Sequence, residues 1–222
     1  MSLGFEVMPG VLVPRPETEL LVEVAARLAR DLQESRSDER LVLADVGTGC
    51  GVVAVILSRL LPEARVFAID VSETALVTAG RNAERLGGAT ALELRRGDLF
   101  EALAGDRPRP LLDGVVANLP YVPNAAWATL PPEVRDYEPP ESLRGGPDGL
   151  DIYRRLAAEL PTYLAPGGFV CLEIGPGQGS AASALLAATG LFPGRRPVVH
   201  QDLAGRERVV AAAGTGDRLK PD

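Results

Sequence analysis

Seven short apolar runs alternating with helix-like segments constrain this chain more than any other feature. Residues 41–46, 65–69, 91–94, 112–117, 169–174, 198–200 and 208–212 have the length and apolarity of buried strands. Between them, residues 52–61 read as a helix stopped by Pro62. Residues 75–86 read as another, with Ser72 as N-cap and Gly87-Gly88 as its stop. Residues 151–164 and 179–189 complete the helical set, and Pro166-Gly167-Gly168 forms the turn after the first of these. Such alternation predicts an α/β chain with a mostly parallel seven-stranded, Rossmann-like sheet covered on both faces. Ligands of these sheets bind beyond the carboxyl ends of the strands, where the strand order reverses. Gly47, Gly49, Gly51, Asp70, Asp98 and Asn118 all fall just past strand ends, so they converge on one edge.

The flanking segments read differently. Residues 11–13 are extended, and Pro14-Arg15-Pro16-Glu17-Thr18-Glu19 opens a helix reaching about Leu32, because proline and acidic residues suit a first turn. Residues 33–40 form a charged linker. Residues 124–149 are rich in proline and glycine without periodicity, too long for an idle connection, and read as a substrate-facing loop. The expected organisation is an N-terminal segment and helix (1–40) packing on the cleft, a Rossmann-like domain (41–213) and a frayed tail (214–222).

Composition removes several function classes. The chain has 222 residues, 46% of them hydrophobic, enough for one sizeable core. No apolar run approaches the ~20 residues of a membrane span, and residues 1–10 lack the pattern of a secretory signal; a cytoplasmic location is expected. His200 is the only histidine and the two cysteines are scattered, which excludes a zinc site and a histidine-based triad; no metal is expected. The formal charge of −7 argues against a tight, sequence-independent grip on nucleic acid, which needs Lys and Arg against phosphates.

Two motifs carry chemistry. In the first, Asp45-Val46-Gly47-Thr48-Gly49-Cys50-Gly51, glycines after a strand let the backbone approach a ligand with a helix N-terminus behind them. Gly49 to Ala54 satisfies G-x-G-x-x-A, and Asp70 follows about 20 residues on, as a ribose-binding carboxylate would. The loop alone fits a nicotinamide dinucleotide as well as S-adenosylmethionine. Gly47, Thr48, Gly49, Cys50 and Gly51 are the candidate loop residues, with Asp70 accepting from ribose hydroxyls. Asp98 would meet an adenine amino group, Leu99 would pack on the ring, and Asn118 would border the same site.

The second motif is Asn118-Leu119-Pro120-Tyr121, directly after Val115-Val116-Ala117. An amide nitrogen is a poor nucleophile because its lone pair is delocalised into the carbonyl. The Asn118 side-chain oxygen and the Leu119 backbone carbonyl can each accept one N–H of a substrate NH2 and so aim the nitrogen. Pro120 stiffens the turn, and Tyr121 offers a face to the planar group. Alignment of this kind can contribute up to ~7–11 kcal/mol. With the glycine loop, this predicts methyl transfer to an amide or amino nitrogen.

At this point the chain resembles the HemK/PrmC-type N5-glutamine methyltransferases, which modify the glutamine of the Gly-Gly-Gln loop of peptide release factors. The resemblance runs from about Phe5 to Ala212. It rests on Val11-Leu12-Val13-Pro14-Arg15-Pro16-Glu17-Thr18-Glu19, on the glycine loop and on Asn118-Leu119-Pro120-Tyr121. Further support comes from Asp136-Tyr137-Glu138-Pro139, Gly145-Gly146-Pro147-Asp148-Gly149-Leu150 and Asp202-Leu203-Ala204-Gly205-Arg206-Glu207-Arg208. It implies a class I methyltransferase fold with S-adenosylmethionine as donor and S-adenosylhomocysteine as product, and a release factor as protein partner. By the same resemblance Asn118 and Tyr121 hold the substrate glutamine, and Arg15, Glu17 and Thr18 line the cleft. Two departures stand out. The family usually has Pro where this chain has Leu119, and the Asn-Leu-Pro-Tyr form also resembles the ribosomal RNA adenine dimethyltransferases, so adenine-type methylation of RNA or DNA is the alternative. Family members also carry a small helical domain before the segment equivalent to 11–19, where this chain has ten residues. Either it is the catalytic part of a longer protein or that domain is absent.

Overall fold

The structure, a computed structural model, describes residues 3–36 and 40–214. Part of the expected linker (37–39) and nearly all of the expected tail (215–222) lie outside the described residues. Strands β1 (Val42–Val46), β2 (Arg65–Asp70), β3 (Leu92–Arg96), β4 (Leu112–Ala117), β5 (Leu164–Glu173), β6 (Val198–Gln201) and β7 (Glu207–Ala213) form one seven-stranded sheet, ordered β3-β2-β1-β4-β5-β7-β6. Pairings are parallel from β3 to β5; β7 runs antiparallel to both β5 and β6. Helices are α1 (Thr18–Ser35), α2 (Val52–Leu60), α3 (Glu73–Leu86), α4 (Pro132–Arg135), α5 (Asp151–Tyr163) and α6 (Gly179–Ala188).

Alternation along each strand splits the core into two layers. Ala44, Val46, Phe67, Ile69, Val115 and Ala117 face a cluster shared with Leu156 and Leu160 of α5 and Leu186 of α6. Leu43, Val66, Ala68 and Val116 face the other, shared with Leu21, Leu28, Val53 and Leu57 of α1 and α2. The central strand β4 is buried along its whole length, which is why its second half, Val115-Val116-Ala117, reads as a continuous apolar run and not as an alternating one. Each fully buried Val or Leu contributes about 1.5–3 kcal/mol, so the two layers dominate the stability. α3 begins as its sequence predicts, with the Ser72 hydroxyl accepting from the Ala75 N–H at 3.3 Å.

Three stretches depart from the expectation. α1 continues to Ser35 instead of ending near Leu32. Pro166-Gly167-Gly168 is no separate turn but an irregular part of β5, where residues 165–168 stand against Asp113 alone between the Leu112/Leu164 and Gly114/Phe169 pairs. Small residues are needed there, because a Cβ on Gly168 would lie 2.9 Å from the Asp113 carbonyl. Residues 124–149 are not structureless. They fold into short helical turns at Asn124–Thr129, Pro132–Arg135 and Pro140–Ser142. The Arg144 guanidinium covers the Trp127 ring at 4.1 Å, and a bridge joins Val122 to Arg144.

Strand order reverses between β1 and β4, whose last residues, Val46 and Ala117, are register partners. The two motifs therefore leave the sheet side by side at the switch point.

Candidate active site

The glycine loop is held from below by its own strand. Asp45, at the end of β1, is fully buried and accepts from the Thr48 hydroxyl at 2.7 Å and the Ala54 N–H at 3.0 Å. Burial pushes its carboxyl up to about 7, against the pull of those two bonds. Gly47, Gly49 and Gly51 take φ of +76°, +55° and +84°, the left-handed region that favours glycine. A Cβ on Gly47 would meet the Leu119 side chain at 2.8 Å, whereas one on Gly49 would stand in open space. The Asp70 carboxylate locks the loop from the next strand. One oxygen accepts from the Gly49 N–H and the other from the Ser72 N–H, both at 2.9 Å. Each oxygen keeps a lone pair for a ligand hydroxyl.

A cavity of about 200 Å³ opens beside this loop. Gly47, Gly49, Asp70, Asp98, Leu99, Asn118, Leu119 and Pro120 line it, and so do Val11, Leu12, Ile69 and Glu141. Thr48, Cys50 and Gly51 lie behind the lining. Thr48 is tied to Asp45, Cys50 packs with Val11 and Ala75, and Gly51 sits against Ala79, 2.8 Å from a notional Cβ. Asp98 is half exposed and pairs with Arg155 at 2.7 Å, a partner on α5 that local sequence reading misses. Leu99 is buried with φ +49° at the start of the short helical turn Leu99–Leu103.

The second motif is built from distant parts of the chain. The Asn118 side-chain NH2 donates to the Thr18 hydroxyl at 3.3 Å, and that hydroxyl donates to a Glu173 oxygen at 2.8 Å. The Tyr121 hydroxyl donates to the other Glu173 oxygen at 3.3 Å. Tyr153, buried on α5, accepts from the Leu119 N–H at 3.2 Å and gives its single proton to the Glu173 backbone carbonyl, the nearer acceptor; the Leu119 carbonyl lies farther off, at 3.3 Å. The Leu119 carbonyl therefore retains acceptor capacity. Burial pushes the Glu173 carboxyl up to about 7 and the Tyr121 hydroxyl above its ordinary range.

Behind the turn, Gln178 uses its whole amide. Its NH2 donates to the Tyr121 and Asp148 carbonyls, each at 3.0 Å, and its oxygen accepts from the Gly175 N–H at 2.8 Å. Gly145 and Gly149 are pressed onto the same backbone. A Cβ would stand 2.5 Å from the Pro120 carbonyl at Gly145 and 2.1 Å from the Tyr121 carbonyl at Gly149, where φ is +82°. The Gly145–Leu150 sequence segment thus acts as a backstop for the turn.

Arg15, Glu17 and Thr18, at the start of α1, each reach a different part of the chain. Arg15 lines a small pocket with Asn118 and Tyr121 and pairs with Glu138. Glu17 pairs with Arg208 at 3.0 Å, which in turn pairs with Asp202 at 3.0 Å. Thr18 binds Glu173. Glu17 is therefore a strut outside the cavity lining, while Arg15 borders the cleft and Thr18 supports Asn118 from behind. Sequence reading missed Glu173, Tyr153 and Gln178. Glu173 alone left a signal, as the one acidic residue in the apolar run Phe169-Val170-Cys171-Leu172-Glu173-Ile174.

The arrangement places the glycine loop, the Asp70 carboxylate and the Asn118-Leu119-Pro120 turn around one cavity. A family model described as a precorrin methyltransferase domain matches residues 25–135, which include the loop, Asp70 and Asn118. Among solved structures, ribosomal protein L11 methylase from Lactobacillus delbrueckii subsp. bulgaricus superimposes with a TM-score of 0.61 at 21% identity, covering 94% of this chain and 83% of that one. The N-terminal domain of human METTL16, in complex with SAH, gives a TM-score of 0.65 at 14% identity, over 95% of this chain and 75% of that one. At these identities the likeness is one of fold, that of class I methyltransferases. Similarity to curated relatives over nearly the whole of this chain is more specific. The release factor glutamine methyltransferase of Gloeobacter violaceus is 44% identical over 94% of this chain and 69% of its own length. That of Moorella thermoacetica is 44% identical over 96% and 70%. At that identity and coverage, this chain belongs to the release factor glutamine methyltransferase family.

Proposed function

We propose that the chain transfers a methyl group from S-adenosylmethionine to the side-chain amide nitrogen, N5, of a glutamine in a peptide chain release factor, at its Gly-Gly-Gln loop. The observation that carries this reading is the adjacency of Gly47 and Asn118 at the switch point, opening on one cavity with Asp70. The residues present fit the donor. Gly49 leaves open space where any other residue would place a side chain, and Asp70 retains acceptor capacity for ribose hydroxyls. Leu99 and Ile69 supply apolar surface for a purine, and Asp98 can accept from its amino group.

When bound, the donor supplies a sulfonium-activated methyl group, whose carbon–sulfur bond breaks as the nitrogen–carbon bond forms. The protein positions the acceptor. The Asn118 oxygen and the Leu119 carbonyl each take one N–H of the glutamine amide, which fixes the nitrogen in the plane between them. Tyr121 and Arg15 border the adjoining pocket, where the glutamine side chain enters. No side-chain base is required if the proton leaves after the methyl has arrived. The relatives are named for glutamine and not for adenine, and the −7 charge accords with a protein partner. Among the described residues no helix is long and apolar enough to cross a membrane.

The test is to incubate the chain with labelled donor and a purified bacterial release factor and to locate the added methyl by peptide mass spectrometry. A single methyl on the glutamine amide is expected. Label on another residue, or only on RNA, would overturn the reading.

A further inference from the structure

A carboxamide has two ends that a substrate NH2 distinguishes: an oxygen that accepts and a nitrogen that donates. We infer that Glu173 is a positioning residue that, through Thr18, holds the Asn118 carboxamide with its oxygen toward the substrate amide. The inference rests on the amide-methylation reading of the site and deepens it.

The direction of the relay follows from proton counting. An ionised carboxylate only accepts. The single hydroxyl proton of Thr18 goes to Glu173 Oε2, at 2.8 Å. Thr18 Oγ1 then has only lone pairs to offer, so the Asn118 group facing it at 3.3 Å must be the donor, Nδ2. The oxygen Oδ1 is the end left for a ligand. Tyr121 donates to Glu173 Oε1 at 3.3 Å, so one buried carboxylate sets two sides of the acceptor pocket. Glu173 is fully buried and lines neither the cavity nor the small pocket beside it, so it touches no reacting atom.

Polar groups face Glu173 from several elements. Thr18 comes from α1 and Glu17 from the residue before it, Tyr121 from the turn after β4, Tyr153 from α5, and Arg208, paired with Glu17 and Asp202, from β7. Burial raises the carboxyl to about 7. The bonds from Thr18 and Tyr121 oppose the rise, Glu17 adds to it and Arg208 opposes it. On protonation the carboxyl becomes a donor. With the proton on Oε2, the oxygen that faces Thr18, Thr18 accepts from Glu173 and turns its own proton to Asn118, which favours the flipped carboxamide. That orientation sets N–H against the substrate's N–H, so the protonated form is inactive.

The test is steady-state methylation of a purified bacterial release factor with tritiated S-adenosylmethionine, from about pH 6 to about pH 8. Rates are normalised to donor-binding sites counted by calorimetry. Wild-type kcat is expected to fall as pH drops below about 7, with donor affinity unchanged. Glu173→Gln keeps the shape but its NH2 can reverse the relay; it should lower kcat about tenfold or more and erase the acid limb. Thr18→Val should lose a similar factor, and Thr18→Ser should recover wild-type kcat. A purely structural role would lower the yield of folded Glu173→Gln and Thr18→Val while leaving kcat per site and the acid limb intact; that outcome overturns the inference. If wild type methylates the glutamine and both variants keep full kcat, this inference alone fails. If wild type leaves the glutamine unmodified, the functional reading fails and this inference falls with it.

Discussion

The two sides of the cavity are built in opposite ways. The donor side is built around a backbone loop held by short-range bonds: the Thr48 hydroxyl binds Asp45, three residues away, and the Gly49 N–H binds Asp70, 21 residues away. The acceptor side is remote and made of side chains: Asn118 leans on Thr18 across 100 residues, and Thr18 on Glu173 across 155. A backbone cradle needs only glycines at left-handed positions and a strand to leave from. A clamp that must present an oxygen and not a nitrogen needs its hydrogen-bond polarity set by other groups, and those come from wherever the fold can supply them. On the proposed reading, the donor side therefore suits many acceptors, whereas the acceptor side carries the specificity.

The largest effect that separates the two sides is expected from Asn118→Ala. Losing one pre-aimed polar group at a reaction centre costs on the order of 10²–10³ in rate. Initial rates should fall by that factor, while calorimetry shows donor affinity changed far less and circular dichroism shows the fold intact. Asp70→Ala should do the converse. Hydrogen bonds to a charged group contribute about 1.5–3 kcal/mol each, so donor affinity should weaken roughly 10- to 100-fold, with most of kcat recovered at saturating donor. Loss of kcat in Asp70→Ala without loss of affinity would erase the distinction between the sides.

Gly149→Ala probes the remote construction. The added Cβ would collide with the Tyr121 carbonyl and with Gln178 in a left-handed backbone. Urea melts should show a loss of about 1–3 kcal/mol, kcat should fall, and donor affinity should hold. A further test concerns Asp45, beneath the donor loop. Burial keeps its carboxyl protonated to about 7 in the folded chain, against 3.8 for the ordinary group. Between those values the folded state holds a proton that the unfolded state has released, so this group's stabilising contribution is present below the lower value and lost as pH rises toward the upper one. Asp45→Asn should flatten that part of the stability profile, measured by urea titration across the window. An unchanged slope would contradict the assignment.

The same contrast explains how much the sequence reveals. The strands, the start of α3 and the donor loop are legible because each follows from neighbours a few residues apart: apolar runs, a capping Ser72, glycines after β1. Asn118 and Tyr121 are legible as a turn at a strand end. Their supports are not. Tyr153 and Gln178 look like ordinary helix residues until the fold brings them to the turn. Glu17 reads as a cleft residue but pairs with Arg208, because only three-dimensional packing shows that β7 begins beside the start of α1. Pro166-Gly167-Gly168 reads as a turn because its composition is that of one, and only the pairing with β4 makes it part of a strand.

The central claim is that Asn118 and Leu119 present two oxygens that aim an amide nitrogen across the cavity. The most direct measurement is a crystal structure of this chain with S-adenosylhomocysteine and a glutamine-containing release factor peptide. The predicted result places the glutamine amide nitrogen about 3 Å from both Asn118 Oδ1 and the Leu119 carbonyl, with the donor sulfur on its open side. A glutamine bound elsewhere, or an Asn118 carboxamide turned with its NH2 toward the substrate, would contradict it.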